Sequence, residues 1–516
     1  MYLSARLRVF IVFVLSLNTA QLAFAMESSH APYQNSLTTL NPEFMLDTSQ
    51  VQKWHKNKNK FGATYSGSRA WQAYVKYLEK QLKRFNVLDI KTNKWSYDRW
   101  HTTGKQNKPA WQLTSDGVDI AVSHYGAYSG ATDEVGITAN LAVYQPGMPV
   151  EQMAGKVMVF ATLPHPNPPL SEQYKKWFTF NDYEYLAENA DIPELFTVVP
   201  TETTVAYDTW WQLQQTLTVT NILKQSQAAG AIIVFNMGPE RLAGLYTFPV
   251  MPVINVPTLY VDRTQGQKLM VDAKAGKSAT LRLSATTSAS ETYQLIGYLP
   301  GKHYGSGDDE RILLTTHTDG PNLQQENGAL GLLAIIAYFS HIPQQHRPRT
   351  LMVYLDNRHY MPGLEAAFAQ HDWFVKNPAE KDQVVGLIAT EHLGQLEFRE
   401  AGNDYGPTGK EEVSLLWVRN EQALIDKAIQ AVQDHQWPRV LVQAVERPGI
   451  NGGPQGVWYG LGSIALQWNI PAYATMGIQG GYWTTTADIT RFDAELFLKQ
   501  VAAMTQLTGE LMRWVP

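Results

Sequence analysis

The chain has 516 residues, of which 44% are hydrophobic and 17% charged, a composition typical of a globular protein with a large buried core. Its formal net charge of -5 predicts no strongly basic surface, so we expect no nucleic-acid partner. The chain contains no Cys. It therefore has no disulfide bonds, and any bound metal must be held by His, Asp and Glu rather than by thiolates.

The first 25 residues are typical of a cleavable secretory signal. Arg6 and Arg8 precede the apolar residues 9–17, and small residues flank Phe24 at the end of the segment. The apolar stretch is too short to span a bilayer, and no later stretch reaches the roughly 18 apolar residues that a spanning helix needs. We therefore expect residues 1–25 to be removed and the protein to be exported, periplasmic or secreted, without a stable membrane anchor. A short N-terminal anchor is the alternative.

The next segment, residues 26–120, is predicted to begin a larger domain that continues later in the chain. Trp71, Tyr74, Leu78 and Leu82 recur at helical spacing and predict an amphipathic helix over residues 68–85. Ser68 is a suitable N-cap for this helix.

Residues 121–288 are predicted to form a separate β-rich module. Short β-branched runs bounded by Gly and Pro at residues 155–160, 229–235 and 252–257 are typical of buried strands. Residues 164–207 are rich in aromatic and acidic side chains and are predicted to be an insertion within this module.

Residues 289–516 alternate predicted strands with helices. Apolar strands are predicted at residues 312–316, 350–355 and 384–389, with a helix at residues 329–339. This alternation predicts an α/β domain with a mainly parallel sheet flanked by helices.

Polar clusters follow each of these three strands. The first cluster is Thr316 to Gly320, which contains His317 and Asp319. The second is Asp356 to His359, and the third is Thr390 to His392. A further polar group, Gln325 to Gly328, precedes the helix. In a parallel sheet, functional groups gather beyond the C-terminal strand ends. The clusters therefore predict a metal site that uses only nitrogen and oxygen ligands.

This order of strands and polar clusters resembles metallopeptidase family 28, which includes zinc aminopeptidases and glutamate carboxypeptidases. The segments "AAGAIIVF" and "MPVINVPTLYV" in residues 121–288 resemble the protease-associated domain that is inserted in several exported peptidases. The resemblance implies a zinc-exopeptidase-like fold with an inserted β-rich protease-associated domain.

Carried over position by position, the resemblance implies that His317 is the first zinc ligand and that Asp319 orients its imidazole. It places the acid that bridges two metals at Glu326 and a further ligand acid at Glu391. The family usually has Asp at the last two positions, so here each carboxylate stands one methylene further from the backbone.

Three further positions depart from the family pattern. The tandem Glu-Glu that supplies the general base and a ligand is replaced by Arg358 and His359. Arg358 cannot accept a proton, whereas His359 can still bind zinc through nitrogen. The final ligand His is replaced near Thr484. We therefore expect a site built from His317, Glu326, His359 and Glu391 that holds at most one zinc per chain, or none.

Two functions stay open on the sequence alone. One is an active zinc exopeptidase in which Glu391, Glu365 or His359 replaces the missing base. The other, which we favour, is a protein whose peptide hydrolysis is impaired or lost and whose pocket binds a peptide or protein partner. In this second case, Arg358 is an alternative to zinc as the partner of the site carboxylates.

Overall fold

The computed structural model describes residue 33 and residues 36–104, 109–164, 208–246, 253–360, 372–445, 458, 460–477 and 483–515. The predicted signal segment, residues 165–207 of the predicted insertion, and Glu365 lie outside the described residues. None of the described helices is long and apolar enough to cross a bilayer.

Eight strands form the first sheet, and they come from distant parts of the chain. Numbered in chain order and given in spatial order, they are β1 (Leu88–Thr102), β10 (Ala285–Leu299), β12 (Thr350–Asp356), β11 (Arg311–His317), β13 (Val384–Ala389), β18 (Ala472–Gly477), β16 (Ser414–Arg419) and β17 (Val440–Val445). The central strands β12, β11, β13 and β18 pair in parallel, whereas β1, β10 and β16 join in antiparallel fashion. The three strands predicted at residues 312–316, 350–355 and 384–389 are confirmed.

Helices cover this sheet. In chain order the α-helices are α1 (Thr48–Phe61), α2 (Arg69–Arg84), α3 (Asp208–Gln225), α4 (Pro239–Leu242), α5 (Arg263–Lys274), α6 (Leu323–Glu326), α7 (Gly328–Ser340), α8 (Asp372–Lys376), α9 (Pro378–Asp382), α10 (Gln422–Asp434), α11 (Ile464–Trp468) and α12 (Ala494–Arg513). Helix α7 is apolar on every side and is buried from Gly328 to Phe339, packed against β11, α2 and α12. The fold is therefore the predicted α/β architecture.

Helix α2 forms as the periodicity predicts. The Ser68 hydroxyl accepts a hydrogen bond from the Trp71 amide at 3.1 Å and caps the helix. Trp71, Tyr74 and Leu78 are buried on one face, so this face joins the main core.

A second sheet is inserted in the chain between β1 and β10. Its strands in spatial order are β3 (Val118–Asp119), β2 (Trp111–Ser115), β9 (Ser278–Leu283), β5 (Ile137–Val143), β6 (Val157–Ala161), β7 (Gly230–Val234), β8 (Thr258–Val261) and β4 (His124–Tyr125). This sheet has its own hydrophobic core. Its first strand begins at Trp111, ten residues before the predicted module boundary. A separate hairpin is formed by β14 (Leu396–Ala401) and β15 (Asp404–Glu411).

One predicted strand of this module is wrong. The described residues 253–257 form a loop, and β8 begins at Thr258, directly after Pro257. Pro257 has no backbone N–H to contribute to a sheet. The apolar run therefore enters the core as a turn that packs against Gly130, where a Cβ would lie 2.1 Å from the Asn255 carbonyl oxygen.

Candidate metal centre

The C-terminal ends of β11, β12 and β13 meet, as expected for parallel strands. His317 at the end of β11 lies opposite Asp356 at the end of β12. Glu391 follows the end of β13 by two residues. Helix α7 begins at this edge of the sheet, where a Cβ at Gly328 would stand 2.0 Å from the Thr390 carbonyl oxygen. Glycine therefore lets the helix approach the strand ends closely.

Three buried side chains come together at this point. One ligand atom each from His317, Glu391 and His392 lies within 4.8 Å of the other two. Nε2 of His317 is 3.8 Å from Oε2 of Glu391. The sequence prediction had brought His317 and Glu391 together but had assigned no role to His392, although its place beside Glu391 was a signal for one.

The hydrogen bonds of His317 leave its Nε2 atom directed towards Glu391. Nδ1 lies 2.9 Å from the Asp319 carbonyl oxygen, which can only accept, so Nδ1 carries the proton. Nε2 then presents its lone pair towards Glu391, with the Gln325 amide nitrogen 3.3 Å away. This tautomer is the one that a metal ligand requires.

The carboxylate of Asp319 faces away from the His317 ring and holds the neighbouring loop. It accepts hydrogen bonds from the Ser66 hydroxyl at 3.1 Å and from the backbone amides of His359 and Tyr360 at 3.3 and 2.5 Å. Burial raises the pKa of Asp319 to about 7. In this structure, therefore, the Asp319 main chain, not its side chain, orients His317.

Glu326 is placed next to a lysine that the sequence analysis missed. Nζ of Lys58, from α1, lies 2.8 Å from Oε2 of Glu326, and both side chains are fully buried. Burial raises the pKa of Glu326 to about 7, and the ammonium group of Lys58 acts against that rise. No motif surrounds Lys58, so its role was not visible in the sequence.

Arg358 and His359, which replace the tandem acids of the family, lie in different places relative to the group formed by His317, Glu391 and His392. The His359 ring stacks on the His317 ring with centroids 4.3 Å apart, although His359 does not belong to the three-residue group. Arg358 lies over the Trp95 ring at 4.5 Å, with Nε 3.6 Å from Asp356.

Thr484 lies close to this edge of the sheet through its main chain. Its carbonyl oxygen accepts a hydrogen bond from the Asn322 amide at 2.7 Å. The C-terminal segment therefore returns to the loop that carries Asp319.

The imidazoles of the site are held neutral. Burial lowers the pKa of His359 to about 4 and that of His392 to about 3, and it lowers the pKa of His317 well below its ordinary value. Burial also raises the pKa of Glu391 to about 7. No Lys or Arg of the described chain forms an ion pair with Glu391. A bound cation would therefore favour the charged form of Glu391.

The donor atoms of the group suit one zinc ion. Two neutral imidazoles and a carboxylate are common zinc ligands, with bonds of about 2.0–2.2 Å and a remaining position open to another ligand. Such bonds require ligand atoms about 3.3–3.6 Å apart in a tetrahedron, so the observed 3.8 Å between His317 and Glu391 needs only a small closure. The group therefore fits the metal by its chemistry, and its His317–Glu391 pair is close to the required spacing.

The fold defined by this sheet and its helices is zinc-exopeptidase-like. The chain is similar to a zinc aminopeptidase from Bacillus subtilis, with a TM-score of 0.57 and 13% identity over 90% of this chain and 95% of that one. It is also similar to a peptidase M28 precursor from Shewanella amazonensis, with a TM-score of 0.59 and 11% identity over 94% and 96% of the two chains.

An aminopeptidase from an Aneurinibacillus species matches with a TM-score of 0.54 and 12% identity over 92% of this chain and 95% of that one. No protein-family model and no curated protein sequence matches. At these identities, the similarities establish the fold alone.

Proposed function

We propose that this chain is an exported zinc-exopeptidase-fold protein in which peptide hydrolysis is impaired or lost and in which the pocket binds a peptide. The observation that carries this proposal is the buried ion pair between Lys58 and Glu326. By the resemblance, Glu326 stands where a carboxylate would bridge two metals. An ammonium group 2.8 Å from that carboxylate takes the place of a second cation.

The remaining donors support one metal at most. His317 and His392 supply nitrogens and Glu391 supplies an oxygen, and all three are buried. A zinc ion bound there would polarise a carbonyl group or lower the pKa of a bound water. Main-chain groups orient the ligands of that site: the Asp319 carbonyl accepts from His317, and the Leu461 amide donates to Glu391 at 3.2 Å.

Loss of the general base also argues for weak or absent hydrolysis. Arg358 occupies one of the two tandem-acid positions, and a guanidinium group cannot act as a general base. General acid–base assistance contributes about 10²- to 10⁴-fold to such reactions, so its loss alone would reduce turnover strongly. Arg358 lies over the Trp95 ring and 3.6 Å from Asp356. Lys58, 2.8 Å from Glu326, supports the reading in which lysine provides the compensating charge at that carboxylate.

The second candidate function is an active zinc exopeptidase with a variant site. Its support is the Glu391 carboxyl, whose pKa is raised to about 7 by burial and which lies 3.8 Å from His317. A carboxyl group with that pKa can exchange protons near neutral pH. In a one-metal enzyme, Glu391 would have to serve either as the ligand or as the base.

We further propose that the second sheet is a protease-associated domain that adds ligand-contacting surface. Support comes from the sequence resemblance and from its insertion between β1 and β10, beside the candidate site. Two residues next to the candidate site, Tyr360 and Trp483, pack into the hydrophobic core of this second sheet.

The test is metal analysis of the full mature protein purified without chelators, together with assays for amino-acid release from peptides. The proposal predicts at most one zinc per chain and little or no release. The variant His317→Ala should lose any bound zinc, whereas His303→Ala, at an exposed position, should keep it. Two tightly bound zinc ions with rapid release of amino acids would reverse the proposal and favour the active enzyme.

A further inference from the structure

A cavity of about 210 Å³ lies beside the candidate metal centre, between the two sheets. Its walls are formed mainly by aromatic residues, among them Tyr65, Tyr97, Trp100, Tyr246 and Tyr360, with one cation, Arg99. This volume is below that of a drug-sized pocket and suits a single amino-acid residue or a ring with one polar group.

The only Lys or Arg in this lining is Arg99, and it has no partner of its own. Arg99 lies on β1 and is half-buried, and it forms no hydrogen bond or ion pair within the described part of the chain. Its charge nevertheless acts on the surrounding phenols, because it lowers the pKa of Tyr97, Tyr128 and Tyr246 against the larger effect of burial. The Arg99 side chain is part of the cavity lining.

Further donors in the lining are also unsatisfied. The hydroxyl groups of Tyr65 and Tyr360 and Nδ1 of His101 are buried and make no hydrogen bond to any described residue. A phenol hydroxyl is protonated at neutral pH, so both tyrosine hydroxyls can donate. Buried polar groups usually have partners, and a set of orphaned donors around a cavity indicates a missing acceptor.

Other polar atoms in the wall are already used and keep the cavity rigid. Trp100 Nε1 donates to the Ser129 carbonyl at 3.0 Å, and the Tyr97 hydroxyl donates to the Ser66 carbonyl. The Tyr65 and Tyr246 rings stack with centroids 4.1 Å apart. The donors left for a ligand are therefore few and fixed.

We propose that this cavity binds the carboxylate group of a peptide ligand, with Arg99 as the charged donor and the Tyr65 and Tyr360 hydroxyls as neutral donors. A single guanidinium group matches the single charge of a carboxylate. The same charge disfavours a cationic ligand, although aromatic walls alone would suit one. The carboxylate comes either from a C-terminus or from an acidic side chain.

The cavity lies near the candidate metal centre, and Tyr360 connects the two. Tyr360 forms part of the cavity wall, and its ring centroid is 6.5 Å from that of His317. Its backbone amide also donates to Asp319. The inference rests on the proposed function in that it names the class of peptide that the pocket would bind.

The experiment is calorimetric titration of the full mature protein with four probes. They are N-acetyl-alanyl-phenylalanine, its C-terminal amide, N-acetyl-aspartyl-phenylalanine amide, and benzoate. The variant is Arg99→Met, and Arg84→Met is the control because Arg84 is exposed near the far end of α2. Tyr65→Phe tests a neutral donor.

The expected result is that a carboxylate-bearing probe binds at least tenfold more tightly than its amide counterpart. Arg99→Met should weaken that binding by about 10- to 100-fold and abolish the preference, whereas Arg84→Met should preserve it. A preference only for the free C-terminus, or only for the aspartyl side chain, supports the inference and identifies the source of the carboxylate.

Other outcomes separate this inference from the proposed function or overturn it. If benzoate binds through Arg99 and neither peptide acid does, the anion site stands and the peptide-binding function fails. If peptides bind equally as acids and amides, the peptide function stands and the anion site is overturned. Failure of every carboxylate to bind, or binding unchanged in Arg99→Met, also overturns the anion site.

Discussion

Lys58 on α1 and Glu326 on α6 form an ion pair at 2.8 Å in which neither side chain has any exposed surface. The pair joins the N-terminal helix to the loop that leads from β11 into α7. Removing one partner of a buried pair leaves an uncompensated charge, which is more costly than removing both. Each charge of the pair therefore compensates the other at the place where the resemblance implies a metal.

Lys58→Met should destabilise the protein by about 3 to 5 kcal/mol, as measured by urea denaturation at pH 7.5. The double variant Lys58→Met/Glu326→Gln should lose less stability, because no unpaired charge is left. Lys60→Met, at an exposed position on the same helix, is the control and should stay within about 0.5 kcal/mol of the native chain. A double variant as unstable as Lys58→Met would show that packing, rather than charge, explains the loss.

A second prediction decides which histidine completes the metal group. His392→Ala should weaken zinc binding by more than about 100-fold, because a lost ligand should cost at least as much as a lost supporting hydrogen bond. His359→Ala should weaken it less, since His359 stacks on His317 but lies outside the three-residue group. Zinc titration of the two variants measures both effects. If His359→Ala weakened zinc binding more than His392→Ala, His359 would be the ligand, as the sequence predicts.

The sequence predicted the central architecture and part of the site because both follow from local patterns. The strand that ends at His317 and the helix capped by Ser68 are encoded by periodicity and by residues next to one another. Lys58 could not be predicted in the same way. It falls at helical spacing from Val51 and Trp54 on the buried face of α1, but the sequence does not show that a carboxylate from a distant segment lies opposite it.

The role of Asp319 was also beyond sequence reasoning. Its main-chain carbonyl contacts His317, while its carboxylate binds Ser66 and the amide of Tyr360. A residue type identifies available groups, but the backbone path determines which group faces the ring. The same limit applies to Pro257, where an apolar run resembled a strand and the chain forms a loop.

A third prediction concerns the approach of α7 to the strand ends. Gly328→Ala should destabilise the protein by about 3 kcal/mol or more, because the added methyl group would stand 2.0 Å from the Thr390 carbonyl oxygen and 2.5 Å from the Thr316 hydroxyl. The Thr390 oxygen belongs to the backbone and Thr316 lies on a buried strand, so neither can move away from the added methyl group without a large energetic cost. Gly307→Ala is the control, since its added methyl group meets no atom within 4 Å.

Thermal and urea unfolding of both glycine variants measure this difference. Gly307→Ala should remain within about 1 kcal/mol of the native chain. Similar stability for the two variants would mean that α7 can shift away from Thr390 without cost. Since Thr390 precedes Glu391, loss of zinc binding in Gly328→Ala would also indicate displacement of the metal group.

A final prediction follows from His55, a buried residue of α1 that lies away from the metal group. Its Nδ1 donates to the Val51 carbonyl at 2.8 Å, and its ring stacks on Phe492 with centroids 3.7 Å apart. Burial lowers the pKa of His55 to about 3. In the unfolded chain this pKa returns to about 6.5, so only the unfolded state takes up the proton between these values.

Because the unfolded state binds more protons in that range, stability falls as the pH decreases from about 6.5 towards 3. Between pH 7.5 and pH 5, His55 should account for about 2 kcal/mol of the decrease in the free energy of unfolding. His55→Phe should reduce the pH dependence by that amount, whereas His303→Ala, at an exposed position, should leave it unchanged. Urea denaturation at the two pH values measures the difference. An unchanged pH dependence in His55→Phe would mean that His55 is already protonated, or accessible to protons, in the folded protein.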